Sequence, residues 1–129
     1  MRVLIVDDSK IVCNGLQQML IHIADVEIIG QAHNAKDAIR FISESKPDVV
    51  ILDIRLPGLS GIDVLKNIMA KKLPIRVIML TNYPYPQYLK KCEELGADYF
   101  FDKVTEIEEI PKVIESLTKD KPEKMKKKQ

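Results

Sequence analysis

Residues 49–61 read Val-Val-Ile-Leu-Asp-Ile-Arg-Leu-Pro-Gly-Leu-Ser-Gly, and the way this stretch divides decides the fold. Its first four residues form an unbroken apolar run, too short for a helix and rich in β-branched side chains. A strand of that kind is buried on both faces, as in a parallel sheet covered by helices. The run stops at Asp53, and a Pro-Gly turn then leads to Ile62, Leu65, Ile68 and Met69 at helical spacing.

The same strand–loop–helix unit recurs on both sides. VLIV (3–6) ends in Asp7-Asp8, and Ser9 is placed to cap a helix with Ile11, Val12, Leu16, Met19, Leu20 and Ile23 inward. VEIIGQA (26–32) reads as a strand. Asn34 then caps a helix bearing Ala35, Ala38, Ile39 and Ile42, which Lys46-Pro47 breaks. IRVIML (75–80) is a strand ending at Thr81. Tyr83-Pro84-Tyr85-Pro86 opens a helix with Leu89, Cys92 and Leu95 inward, stopped at Gly96. Tyr99-Phe100-Phe101 is the last strand, followed by Asp102-Lys103. Thr105 and Glu108 fit a capping box for a final helix with Ile107, Ile110, Ile114 and Leu117 on one face. Pro111 lacks the N–H of a helix interior, so that helix should begin irregularly and run regularly from near Ile110. Five strands and five helices in strict alternation predict an α/β, doubly wound, five-stranded parallel sheet of flavodoxin-like type.

Length and composition fit this reading. At 129 residues the chain is one domain by prior, large enough to bury about two-thirds of its unfolded surface. Hydrophobic residues make up 46% and charged residues 30%, ordinary for a soluble globular protein. Aromatic residues are 5% and Trp is absent, which argues against a stacking platform for single-stranded nucleic acid. Cys13 and Cys92 are far apart and form no metal or redox motif; they read as buried small hydrophobes in reduced form. No signal-peptide core precedes Asp7-Asp8 and no apolar run reaches membrane-spanning length, so a cytoplasmic location is expected. The net charge of +1 hides an asymmetry. Residues 118–129 carry six lysines against Asp120 and Glu123, while residues 1–117 hold 14 basic and 17 acidic side chains. The expected organisation is a domain over 1–117 and a basic, solvated tail over 118–129.

In such sheets ligands bind beyond the carboxyl ends of the strands. Those ends carry Asp7-Asp8, Asp53, Thr81 and Asp102-Lys103. The acids converge only if the first and third strands are neighbours, as in a 2-1-3-4-5 order. Three carboxylates in one pocket repel one another, and a hard dication relieves this. With Lys103 and Mg²⁺ the charges of Asp7, Asp8 and Asp53 sum to zero. Mg²⁺ favours one or two carboxylates, several waters and a phosphate oxygen. The hydroxyl of Thr81 and the point charge of Lys103 suit phosphoryl oxygens. Such a site moves a phosphoryl group onto a carboxylate, mostly by positioning and charge stabilisation.

Taken together, LIVDDS (4–9), VVILDIRLPGLSGIDVL (49–65), VIMLTN (77–82) and GADYFFDK (96–103) resemble the receiver domain of bacterial two-component response regulators over residues 1–117. The 2-1-3-4-5 order is taken in part from that resemblance. It implies that Asp53 accepts a phosphoryl group, as an acyl phosphate, from a sensor histidine kinase, a phosphotransfer protein or a small phosphodonor. Asp8, Asp53 and the carbonyl of Arg55 would bind Mg²⁺, with Mn²⁺ as a substitute, and Asp7 would act through water. Lys103 and Thr81 would hold the phosphoryl oxygens. Thr81 and Phe100 would form the switch that changes the face made by the fourth helix, fifth strand and fifth helix. The resemblance implies a phosphorelay signalling domain rather than a turnover enzyme. It would act on a downstream protein, without contacting nucleic acid or membrane, as a monomer or phosphorylation-dependent dimer.

Four positions depart from the family's pattern. Val104 stands where Pro is common, and Phe100 lacks a hydroxyl that some members use. Arg55 and Asn82 flank the path of attacking water, so an unusual phosphate lifetime is expected. Gly58 and Gly61 read as turn formers. His22, on the first helix, and His33, in a loop, read as structural or surface residues. Tyr83 and Tyr85 read as packing around two prolines or as partner contacts. A stand-alone module is expected, because nothing after Leu117 is long enough for an output domain; a receiver cut from a longer regulator is the alternative. A haloacid-dehalogenase-like phosphatase would need D-x-D, whereas Asp53 is followed by Ile54-Arg55. A phosphate-independent interaction domain would have no use for the intact acid set.

Overall fold

The computed structural model describes residues 1–119. Its elements are β1 (Arg2–Val6), α1 (Lys10–Leu20), β2 (Glu27–Ala32), α2 (Ala35–Ser45), β3 (Val49–Leu52), α3 (Gly61–Ala70), β4 (Arg76–Thr81), α4 (Pro86–Leu95), β5 (Tyr99–Asp102), α5 (Lys103–Glu106) and α6 (Glu109–Lys119). The five strands form one parallel sheet in the order β2-β1-β3-β4-β5. Every residue of β3 and β4 is buried, as their continuous apolar runs require. Alternation splits the strands between two cores. Leu4, Val6, Val50, Leu52, Val77 and Met79 meet α2, α3 and α4. Val3, Ile5, Val49, Ile51, Ile78 and Leu80 meet α1 and α6.

Register aligns the strand ends. Val6 pairs with Leu52, Leu52 with Met79, and Thr81 with Asp102. The ladder runs one step further at the centre: Asp53 N–H donates to Val6 O and Asp7 N–H to Ala32 O, both at 3.0 Å. The acids therefore leave the sheet side by side.

Local signals hold most helix starts. Ser9 Oγ accepts from Val12 N–H at 3.2 Å, and Asn34 Oδ1 from Asp37 N–H at 2.8 Å. Lys46, ahead of Pro47, ends α2 in the left-handed region at φ 47°. Gly96 ends α4 at φ 101°, a conformation that costs a residue with a Cβ.

Several details differ from the sequence expectation. Ile11 is 84% exposed; the inward stripe of α1 is Val12, Cys13, Leu16 and Leu20. Leu89 is 40% exposed, because the inward positions of α4 are Tyr88, Cys92 and Leu95, spaced i, i+4, i+7. His22 lies in the turn after α1. The expected fifth helix is two helices, which makes six. Asp102 caps α5 by accepting from Val104 N–H at 2.9 Å, and its own N–H donates to Glu106 Oε1 at 2.8 Å. Thr105 thus lies inside α5 and Glu108 in the turn after it, so they form no capping box; α3 has one, at Ser60 and Asp63. Pro111 is the third residue of α6, where a backbone N–H has no intrahelical acceptor to lose. Residues 118–119 close α6, and 120–129 of the expected tail lie outside the described residues. No helix among the described residues is long and apolar enough to cross a membrane.

Burial of Cys13 and Cys92 sets their chemistry. Both thiols are free, and desolvation pushes each up to about 11, helped at Cys13 by the charge of Asp7. Thiolate is the reactive form. Neither cysteine should therefore react with iodoacetamide in the folded protein at neutral pH, and both should react once urea unfolds it. Mass spectrometry of alkylated protein checks this; rapid labelling of native protein would contradict the burial.

Candidate active site

The carboxyl ends of β1, β3, β4 and β5 meet at one pocket. Asp7 is 2% exposed, Asp53 5%, Thr81 0% and Lys103 8%. Lys103 reaches between the two buried acids: its Nζ lies 2.6 Å from Asp7 Oδ2 and 2.9 Å from Asp53 Oδ2. The second oxygen of each carboxylate accepts a backbone N–H, from Ser9 for Asp7 at 2.9 Å and from Ile54 for Asp53 at 2.7 Å. Charge-assisted bonds of this kind offset the cost of taking two carboxylates out of water. Burial alone would lower the pKa of Lys103. The hydrogen bonds from Asp7 and Asp53, with their charges, outweigh it and raise the pKa above its usual value.

Asp8 is exposed, at the open side of the pocket. One carboxylate oxygen from each of Asp7, Asp8 and Asp53 lies within 4.8 Å of the others. A set of hard oxygen donors at that separation fits a small divalent cation such as Mg²⁺, with Asp8 facing the solvent side. Thr81 Oγ1 accepts from Tyr83 N–H at 3.0 Å, which leaves its own proton to donate. Phe100 is half-buried and packs on the core beneath α2, α3 and α4. Val104 is 76% exposed beside the buried Lys103.

The structure thus brings together Asp7, Asp8, Asp53 and Lys103, and Thr81 ends β4, the strand beside β3. Three contributions were not legible there. The N–H groups of Ser9 and Ile54 act through backbone geometry alone. The guanidinium of Arg55 lies over the ring of Tyr83, 4.1 Å from Cζ to centroid, joining the loops after β3 and β4. The third is Gly61. A Cβ built there would overlap the backbone carbonyl of Asp53, because Gly61 N–H donates to Ile54 O at 2.7 Å and folds the loop back on the acid. Gly61 serves close approach as well as turning. Gly61→Ala should displace the Asp53 backbone and lower stability by roughly 2 kcal/mol or more, as forced overpacking does. Urea denaturation measures it, and an unchanged midpoint would contradict the close approach.

The model of the response regulator receiver domain matches residues 3–115. The response regulator GacA of Pseudomonas aeruginosa is 28% identical over 116 residues, covering 90% of this chain and 54% of that protein. The response regulator domain of Thermotoga maritima CheB superposes with a TM-score of 0.81 at 32% identity, covering 92% of this chain and 93% of that one. Borrelia burgdorferi CheY, solved with CheX, BeF3 and Mg²⁺, gives a TM-score of 0.83 at 30% identity, covering 93% and 90%. The chain spans about half to three-fifths of the length of the first curated relatives. A family match over nearly the whole described chain, on a sheet in 2-1-3-4-5 order with clustered acids at its carboxyl edge, makes this chain a member of the response regulator receiver domain family.

Proposed function

We propose that this chain is a phosphorylation-controlled signalling domain in which Asp53 is the phospho-acceptor. The observation that carries the reading is the Lys103 ammonium bridging Asp7 and Asp53 at 2.6 and 2.9 Å, with Asp8 at the open side. Asp53 attacks the phosphorus of a phosphohistidine on a sensor kinase or phosphotransfer protein, or of a small phosphodonor. The new bond is Asp53 O–P and the donor's bond to phosphorus breaks: a phosphohistidine leaves as neutral imidazole, taking a proton from solvent, and a small donor such as acetyl phosphate leaves as the free carboxylate. Lys103 holds one phosphoryl oxygen by charge, and the Thr81 hydroxyl donates its free proton to another. The side chains of Asp8 and Asp53 and the carbonyl of Arg55 would hold Mg²⁺, with Asp7 acting through water. Bound there, the cation would supply positive charge against the phosphoryl oxygens and the clustered acids.

The phosphoryl group stays on the protein, so the product is a changed surface rather than a released compound. Thr81 and Phe100 carry that change to the face formed by α4, β5 and the helices after it, which binds a downstream protein. Dimerisation through this face on phosphorylation belongs to the same reading, with neither nucleic acid nor membrane as a direct partner. The proposed compartment is the cytoplasm, in keeping with two unpaired thiols.

The test is chemical. After incubation with acetyl phosphate and Mg²⁺, borohydride reduction converts an acyl phosphate to the corresponding alcohol. Peptide mapping should find the reduced residue at position 53 and nowhere else; reduction at Asp7 or Asp8 would move the acceptor.

A further inference from the structure

Arg55 holds the one full positive charge in the loop that follows the acceptor, residues 54–60. Arg55 is exposed and makes no ion pair among the described residues, although the carboxylate of Asp53 is only two residues away in the chain. It is instead stacked over Tyr83, at 4.1 Å. Tyr83 starts an aromatic chain: its ring centroid is 6.1 Å from that of Tyr85, which is 5.5 Å from that of Tyr88. Tyr85 occupies the N-cap position of α4 and supplies no side-chain cap, so the entry to this helix depends on Pro86 and on that ring chain. Tyr88 is half-buried against the core beneath α4. Arg55 therefore touches one end of a contact path whose other end is the first turn of α4.

We propose that Arg55 is a transferable charge, parked on Tyr83 while Asp53 is a free carboxylate and drawn to the phosphoryl oxygens once Asp53 carries them. This rests on the reading of Asp53 as phospho-acceptor. Two features support the transfer. Conversion of the carboxylate to an acyl phosphate adds about one negative charge at neutral pH and places oxygens beyond the pocket mouth, nearer the loop. An exposed cation–π contact is weak, so a guanidinium exchanges it readily for a bidentate pair with a phosphoryl group. The reach is short. Arg55 lies three residues beyond the end of β3 and Tyr83 two beyond the end of β4, and these adjacent strands are about 4.8 Å apart. Departure of the guanidinium frees Tyr83, whose N–H already holds Thr81 Oγ1. Release of the ring and displacement of the Thr81 hydroxyl then act on the same residue. Arg55 is a positioning residue here: it couples the charge on Asp53 to the N-terminal turn of α4.

The experiment uses the whole chain with labelled arginine, followed by NMR without and with Mg²⁺ and the phosphomimetic BeF3⁻. In the free protein the Arg55 δ-methylene protons should lie upfield, shifted by the Tyr83 ring current. On formation of the adduct, reported independently by the Thr81 backbone amide, that upfield shift should be lost. Tyrosine emission, unobscured because Trp is absent, should change together with it. In Tyr83→Leu the upfield shift should be missing from the start. An adduct that forms while Arg55 stays upfield overturns the transfer and leaves the phospho-acceptor reading intact. A Thr81 amide that never responds overturns that reading, and the transfer with it.

Discussion

Lys103→Met should lower the stability of the Mg²⁺-free protein by about 2–3 kcal/mol. Asp7 and Asp53 are almost fully buried, and Lys103 is the cation that bonds them both. Its removal leaves two adjacent carboxylates with backbone N–H donors but no countercharge. Breaking a buried pair typically costs about 3–5 kcal/mol; the smaller figure here reflects the opening to solvent at Asp8. Millimolar Mg²⁺ should narrow the gap between wild type and variant, because a dication held by the same acids replaces the lost charge. The pH dependence follows from the raised pKa of Lys103. A cation whose folded pKa lies above its unfolded value of 10.5 contributes fully below that value and loses its contribution only as pH rises past it. The gap should therefore stay level between about pH 7 and about pH 9. Urea titrations at several pH values measure all of this. A gap that is absent, or that closes within this range, would refute the bridging role of Lys103.

The parts of this site that rest on side-chain type at strand ends could be read from sequence. Asp7, Asp8, Asp53, Thr81 and Lys103 each follow an apolar run, and one strand order brings them together. The helix caps at Ser9 and Asn34 were equally legible, since each is a short polar residue just before a periodic stretch. Periodicity was weaker at helix ends. Ile11 and Leu89 are apolar, but they lie off the inward stripe by about one residue's rotation, 100°. Where two apolar candidates are adjacent or nearly so, as with Leu89 and Tyr88, the pattern does not say which faces the core. Pro111 announced the irregular start and the regular helix from near Ile110, but the separate turn of α5 escaped because Thr105 and Glu108 imitate a capping box that Asp102 pre-empts. The contacts of Gly61 and Arg55 join segments that only the tertiary structure brings together, so no local signal announces them.

The second large effect concerns Asp53 itself. Asn keeps the size of the side chain and can still accept from Ile54 N–H, but it removes the nucleophilic carboxylate and a charge facing Lys103. Neither neighbour can substitute. Asp7 has one oxygen held by Ser9 N–H and the other by Lys103. Asp8 is exposed and has no contact with Lys103, so a phosphoryl group placed there would lack that stabilisation. Asp53→Asn should therefore take up no phosphoryl group at all while remaining folded.

The most direct measurement is intact-mass spectrometry of wild type and Asp53→Asn after incubation with acetyl phosphate, with Mg²⁺ present or chelated. Wild type with Mg²⁺ should gain one phosphoryl group, and the variant and the chelated sample none. An adduct of equal yield on Asp53→Asn, or no adduct on wild type even with a phosphorylated sensor kinase as donor, would contradict it.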